Sequence, residues 1–185
     1  ALRLNGAAGK VVRFNGDTLN ANLTQGASTL ALAKDTTVAG TSAFTGSTLD
    51  LGKNKLTLAG AATFSGDTTV KFVYTAGKPI ITLGSTATVG AATDKITLVK
   101  SKGGSYLRSG TKVSVFGDAN GNTVAITGAD KDTINFANTR FLKANIDSVA
   151  GTVTFLGAAE DTSFASASAL KNSNVKAFVT ALKDF

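Results

Sequence analysis

The sequence predicts an all-β protein of the parallel β-helix (β-solenoid) class, with a short C-terminal amphipathic helical segment. Three observations predict it. Apolar and polar residues alternate with a period of two through short segments that end at Gly, Asn or Asp. The phrase Phe44-Thr45-Gly46-Ser47-Thr48-Leu49 returns 20 residues later as Phe64-Ser65-Gly66-Asp67-Thr68-Thr69. A spacing near 20 is the length of one coil built from three short strands and three turns. A third version, Phe14-Asn15-Gly16-Asp17-Thr18-Leu19, stands 30 residues before the first, which implies coils with unequal loops. Finally, the period changes after Leu156 from that of strands to that of a helix.

The elements follow in order. Strands are predicted around residues 3–5, 11–14, 18–23 and 28–33, with breaks at Gly6, Gly9, Gly16 and Gly26; Leu30 and Leu32 alternate with Thr29 and Ala31, so one face is buried. Beginning in mid-pattern at Leu2 and Leu4 implies that the first strand continues a stack built upstream. Between residues 44 and 74 the alternation is clearest. Leu49 and Leu51 precede a turn at Gly52, Lys53 and Asn54, Leu56 and Leu58 follow it, and Phe64, Val70, Phe72 and Tyr74 come after the break at Ala59 and Gly60. Further strands are predicted at 81–83 and 96–99, separated by the segment STATVGAATD at 85–94, with the sole proline, Pro79, where its missing N–H does least harm. The segment at 101–110 is the longest interruption, and strands return at 112–116, 124–127, 133–136, 141–146 and 152–156. In 172–185 the apolar residues Val175, Phe178, Val179, Leu182 and Phe185 fall on one face of a helix, with Ser173 or Asn174 as cap. The domain reading is therefore a stack over 1–156 and a helical cap or insertion over 157–185, with a shorter helix possible over 161–171.

Composition narrows the chemistry. There is no Cys and no His among 185 residues, which removes thiol nucleophiles, imidazole bases, disulfides and the usual zinc, haem and copper ligands. No metal and no cofactor are expected. Absence of disulfides suits an extended bacterial surface protein better than a secreted animal domain. There is no Met and the first residue is Ala1, so the native start is expected to lie elsewhere. No uncharged apolar run approaches the ~20 residues of a membrane span, so this fragment is not expected to insert into a membrane. The net charge of +7 is scattered and not interleaved with aromatic residues on one element, against a nucleic-acid partner.

Candidate sites are few. Lys100, Lys102, Tyr106, Arg108 and Lys112 flank or occupy the 101–110 interruption, where Gly103 and Gly104 give freedom; they form the candidate binding group of a projecting loop, the alternative being a solvated loop with no partner. Asn120 and Gly121, and Gly117 and Asp118, are hairpin turn signals. Asp118, Asn120 and Asn122 resemble the first part of a calcium loop but lack its glycine and terminal Glu, which leaves a turn. For catalysis, Ser168 and Lys171 have the Ser-x-x-Lys spacing without context. Asp130, Lys131, Asp132 and Arg140 are the nearest approach to the acid cluster of a carbohydrate-active solenoid, yet they sit in a turn, where carboxylates mostly cap backbone. No catalytic residue is assigned.

The phrases FNGDTLNANL, FTGSTLDLGKNKLTLAG and FSGDTTVKF carry a family likeness. Over about 2–156 the chain resembles the passenger region of bacterial autotransporters, most closely the rickettsial surface cell antigens and outer-membrane protein B; the tail NSNVKAFVTALKDF is similar to helical insertions in such passengers. The resemblance implies a right-handed parallel β-helix or related β-solenoid, exported through a C-terminal outer-membrane barrel absent here, and displayed on the cell surface. It implies an adhesin or structural coat whose partners are a host-cell surface protein or glycan and neighbouring passenger segments. A carbohydrate-active β-solenoid enzyme is the alternative.

Overall fold

The computed structural model of this chain describes residues 1–137 and 143–156, and every regular element among them is a β-strand. Four coils of three strands each open the fold: β1 (Leu2–Leu4), β2 (Val11–Phe14), β3 (Thr18–Leu19); β4 (Leu23–Gln25), β5 (Thr29–Leu32), β6 (Thr36–Val38); β7 (Ser42–Thr45), β8 (Thr48–Gly52), β9 (Leu56–Leu58); β10 (Ala62–Ser65), β11 (Thr68–Phe72), β12 (Ile81–Leu83). A fifth coil contains β13 (Ala87–Val89), β14 (Ile96–Lys100) and β16 (Phe116–Gly117), with β15 (Lys112–Ser114) inserted before its third strand. β17 (Ile134–Ala137) adds one more strand above β14. The predicted parallel β-solenoid is the observed architecture.

Each strand pairs in parallel with the strand one coil away, giving three parallel sheets: β1-β4-β7-β10-β13, β2-β5-β8-β11-β14-β17 and β3-β6-β9-β12-β16. We call these faces A, B and C. The repeat length is visible in the register of face A, where Leu2 lies opposite Leu23, Leu23 opposite Ser42 and Ser42 opposite Ala62. Inward positions therefore stack on inward positions, one coil above the next. On face B the buried column runs Leu30, Leu49, Val70 and Leu98, continued above by the partly buried Phe136; Val12, in register below Leu30 in the first coil, is exposed. Face C stacks Leu56, Ile81 and Phe116. Phe44 and Phe64 stack on face A with ring centroids 5.1 Å apart, and Phe116 from face C meets Phe64 at 5.5 Å. Burying such side chains stabilises the fold by about 1.5–3 kcal/mol each.

Outward positions are filled by residues that are β-branched and tolerate water. Thr29, Thr48, Thr69 and Thr97 form a row on face B, and Thr18, Thr37 and Thr57 a row on face C that continues in register to the buried Thr82. Threonine suits this place because its branched Cβ fits the pleat while its hydroxyl stays hydrated.

Three expectations need correction. The phrase beginning at Phe14 is not a third copy of the same corner: Phe14 pairs with Leu32 at the B–C corner, whereas Phe44 ends a face A strand at the A–B corner. The true counterpart of Phe44 one coil earlier is Gln25. Each corner asks for an inward apolar residue, a turn glycine and a following strand, so unrelated corners acquire similar sequences. Second, the inner column is not uniformly dry. Gln25, Ser28, Ser47 and Thr68 are buried at or beside the A–B corner; Gln25 Nε2 donates to the carbonyls of Ser28 (2.8 Å) and Thr48 (3.0 Å). Third, the break read over 85–94 contains strand β13, and the strand read over 124–127 is only a bridge between Thr88 and Thr127.

Beyond the fifth coil the stack gives way to an antiparallel sheet in which β19 (Thr152–Leu156) lies between β15 and β18 (Lys143–Asp147). Phe155 of β19 and Phe136 of β17 meet edge to face at 5.0 Å, which joins this sheet to the solenoid core. The helical cap expected over 157–185, with its Ser168 and Lys171, lies outside the described residues, as does Arg140.

Candidate binding surface

Corner lengths show where the solenoid departs from its minimum. The C–A corners take three residues in all four instances: 20–22, 39–41, 59–61 and 84–86. The B–C corners also take three in the first three coils, at 15–17, 33–35 and 53–55. They then grow to 73–80 in the fourth coil and 101–115 in the fifth. Both large insertions leave the same edge of the stack. Residues beyond what the core requires are the natural place to seek binding.

The five binding candidates belong to the second insertion or its edges, and the structure lays this segment against the body. Its first part runs over the insertion below: Ser101 N–H donates to Phe72 O at 2.7 Å and Ser105 N–H to Tyr74 O at 2.8 Å. Its later part turns onto the antiparallel sheet, where Gly110 N–H donates to Phe155 O and Phe155 N–H to Thr111 O. The candidates are thereby divided. Lys100 and Lys102 sit over the fourth-coil insertion, with Lys100 Nζ donating to the carbonyls of Ser101 and Gly103, while Lys112 belongs to β15 beside β19. Arg108 and Tyr106 lie between; both are exposed, Tyr106 by 84 %.

The acidic candidates have structural employment. Asp130 Oδ1 accepts the Asp132 N–H at 2.9 Å and the Thr133 hydroxyl at 3.0 Å. The Asp132 N–H and then the Thr133 hydroxyl hold the Asp130 carboxyl below its ordinary value, with Lys95 adding a smaller attraction. An acid catalyst needs the opposite shift. Asp118 is similar: Oδ1 accepts the N–H groups of Asn120 and Asn122, Oδ2 accepts the Asn122 amide, and its carboxyl is lowered chiefly by the Asn122 side chain. Asp118 closes a turn whose ends meet in an antiparallel bridge between Gly117 and Thr123, in agreement with the hairpin signal. No group of three metal-ligating side chains occurs among the described residues.

These shifts carry a pH prediction. A lowered folded-state value means that the folded chain binds fewer protons than the unfolded one near pH 4, so the contribution is present at neutral pH. It is lost as pH falls below the ordinary Asp value, about 4, through the depressed one. Asp130→Asn should flatten the acid limb of a stability-against-pH curve measured by urea unfolding between neutrality and pH 3. An unchanged limb would show that the turn bonds do not distinguish the two protonation states.

The first insertion encloses space. A cavity of about 360 Å³ opens between the corner at 51–55, the insertion at 72–80 and the turn at 118–121. Leu51, Phe72, Tyr74 and Ile80 give it a buried apolar side, while Lys53, Lys55 and Lys78 line it as exposed cations. Burial raises the Tyr74 phenol above its ordinary value, so it stays protonated at neutral pH. None of these residues belonged to the candidate set. The detectable signal was the excess of residues between Phe72 and Ile81 over the three that turn the same corner between Gly52 and Leu56.

The fold and this edge together define a three-sided parallel β-solenoid bearing an enlarged corner. No protein family, curated protein or solved structure matches the chain.

Proposed function

We propose that this chain is a surface-displayed segment of a bacterial autotransporter passenger, acting as an adhesin or surface coat in host-cell contact. The observation that carries the reading is the in-register parallel stack, with largely apolar columns inside, threonine rows outside and both long insertions on one edge. Such a scaffold grows by adding coils, each contacting only its neighbours, and spaces its outward rows about 4.8 Å apart for repeated weak contacts. The partners fitted to it are a host-cell surface protein or glycan, together with adjacent passenger segments.

The purified chain should bind host cells in a saturable assay. Lys102→Ala with Arg108→Ala should weaken that binding about tenfold, because two exposed cations on the upper insertion are removed without touching the core. Intact binding in the double variant would remove the insertion from the contact surface. Polysaccharide turnover that disappears with Asp130→Ala would replace the adhesive reading by an enzymatic one.

A further inference from the structure

We propose that the cavity at the enlarged B–C corner is a binding site for an acidic saccharide, a sugar ring bearing a carboxylate. This deepens the adhesive reading and rests on it for biological meaning, though the binding itself can be tested alone. Size is the first argument. About 360 Å³ lies at the small end of ligand sites, room for one or two sugar rings.

The second argument is the disposition of charge. Lys53, Lys55 and Lys78 line the cavity, and none has a carboxylate within ion-pair distance among the described residues; the ion pair found there joins Lys34 to Asp17 elsewhere. Two acids also line the cavity, but both serve backbone. Asp35 Oδ1 accepts the Lys55 N–H at 2.8 Å, and both oxygens of Asp118 are engaged within its turn. The cavity therefore holds three ammonium groups without an ion-pair partner among the described residues against two carboxylates, Asp118 with both oxygens engaged in its turn and Asp35 with Oδ1 held by the Lys55 N–H. That imbalance favours an anion, for which a charge-assisted bond is stronger than a neutral one.

The third argument is the mixture of surfaces. A bare inorganic anion needs only the cations, whereas this cavity is also lined by the largely buried aromatic side chains of Phe72 and Tyr74 and by the exposed Thr75. Apolar carbon faces together with ring hydroxyls and one negative group describe a uronic-acid type of sugar. Its position supports the same conclusion. The cavity exists because the fourth coil spends residues 73–80 on a corner that three residues turn elsewhere, an excess the core does not require.

Titration calorimetry and chemical-shift mapping of the full chain would test this with four probes: a glucuronate-containing disaccharide, its uncharged glucose counterpart, free glucuronate and inorganic sulfate. The acidic disaccharide should bind at least about tenfold more tightly than the uncharged one and than sulfate, with shifts confined to 51–55, 72–80 and 118–121. Lys53→Ala with Lys78→Ala should weaken it about tenfold or more. Lys10→Ala with Lys71→Ala, which removes the same charge from exposed positions outside the cavity, should leave it unchanged. Equal affinity for the uncharged sugar, sulfate binding as tight as the disaccharide, equal loss in the control variant, or no binding would each overturn the proposal. Cell binding that persists without saccharide binding would discard the cavity while keeping the adhesive reading; saccharide binding without cell binding would do the reverse.

Discussion

Phe64→Ala should lower the free energy of unfolding by about 3–5 kcal/mol, the range for emptying a fully buried aromatic site. Phe64 is fully buried and lies between Phe44, stacked one coil below, and Phe116, tilted against it from another face. Removing its ring abandons both contacts at once. The neighbouring Ala62 and Ala87 are too small to fill the void, and the parallel hydrogen bonds on each side limit collapse. Against a typical total of about 5–15 kcal/mol, this is a large share. Phe14→Ala supplies the comparison: Phe14 is only partly buried in a coil paired on one side, so its loss should be much smaller. Urea unfolding followed by circular dichroism measures both. A Phe44→Ala, Phe64→Ala double-mutant cycle should further give a coupling of about 0.5–1.5 kcal/mol between residues 20 apart in sequence. Zero coupling would mean that the rings do not stack between successive coils.

That cycle tests the part of the fold most legible in the sequence. Leu49, Leu51, Leu56 and Leu58 announced their strands through strict alternation, and the repeat at Phe44 and Phe64 gave the coil length because those residues are true structural equivalents. Legibility failed where a residue's inward position contradicts its chemistry. Gln25 occupies the inner position of Phe44 one coil earlier, and nothing local distinguishes a buried Gln bonded to two carbonyls from an exposed one. It failed again where pairing is not local. Ala87, Thr88 and Val89 form a strand because β10 lies beside them, and so short a run in a Gly-rich and Thr-rich segment reads as loop without that partner. The candidate surface was legible only in part. Sequence alone found the insertion at 101–110, the longest interruption, but could not show that it lies down on residues 72–76. Nor could it show that the preceding insertion closes a cavity, because Lys53 and Lys78 are adjacent only through the stacking of one coil on the next.

Stacking also inverts the usual expectation for glycine, and Gly60→Ala shows this most sharply. The backbone of Gly60 does not have a positive φ. Replacing such a glycine by Ala ordinarily stabilises by about 0.4–1 kcal/mol, since the unfolded chain loses freedom. Here an added Cβ would stand 2.5 Å from Gly40 O, 2.7 Å from Gly40 C and 3.0 Å from Thr41 N, all backbone atoms of the coil below. No side chain can swing aside. Relief would require the two corners to part, straining the flanking bonds from Ala59 N–H to Val38 O and from Ser42 N–H to Ala61 O, both 2.9 Å. Overpacking of this kind costs about 1–3 kcal/mol, enough to reverse the sign. Gly46 is the opposite case: its φ is +55° but nothing lies within 4 Å of the added carbon. Its replacement by Ala should cost only the left-handed backbone penalty, about 1–2 kcal/mol, and Asn should recover part of that loss. Chemical unfolding of the three variants separates crowding from conformation. If Gly60→Ala were as stable as the parent, adjacent coils could not lie this close at the C–A corner, and the tight three-residue turn that keeps the faces in register would need another explanation.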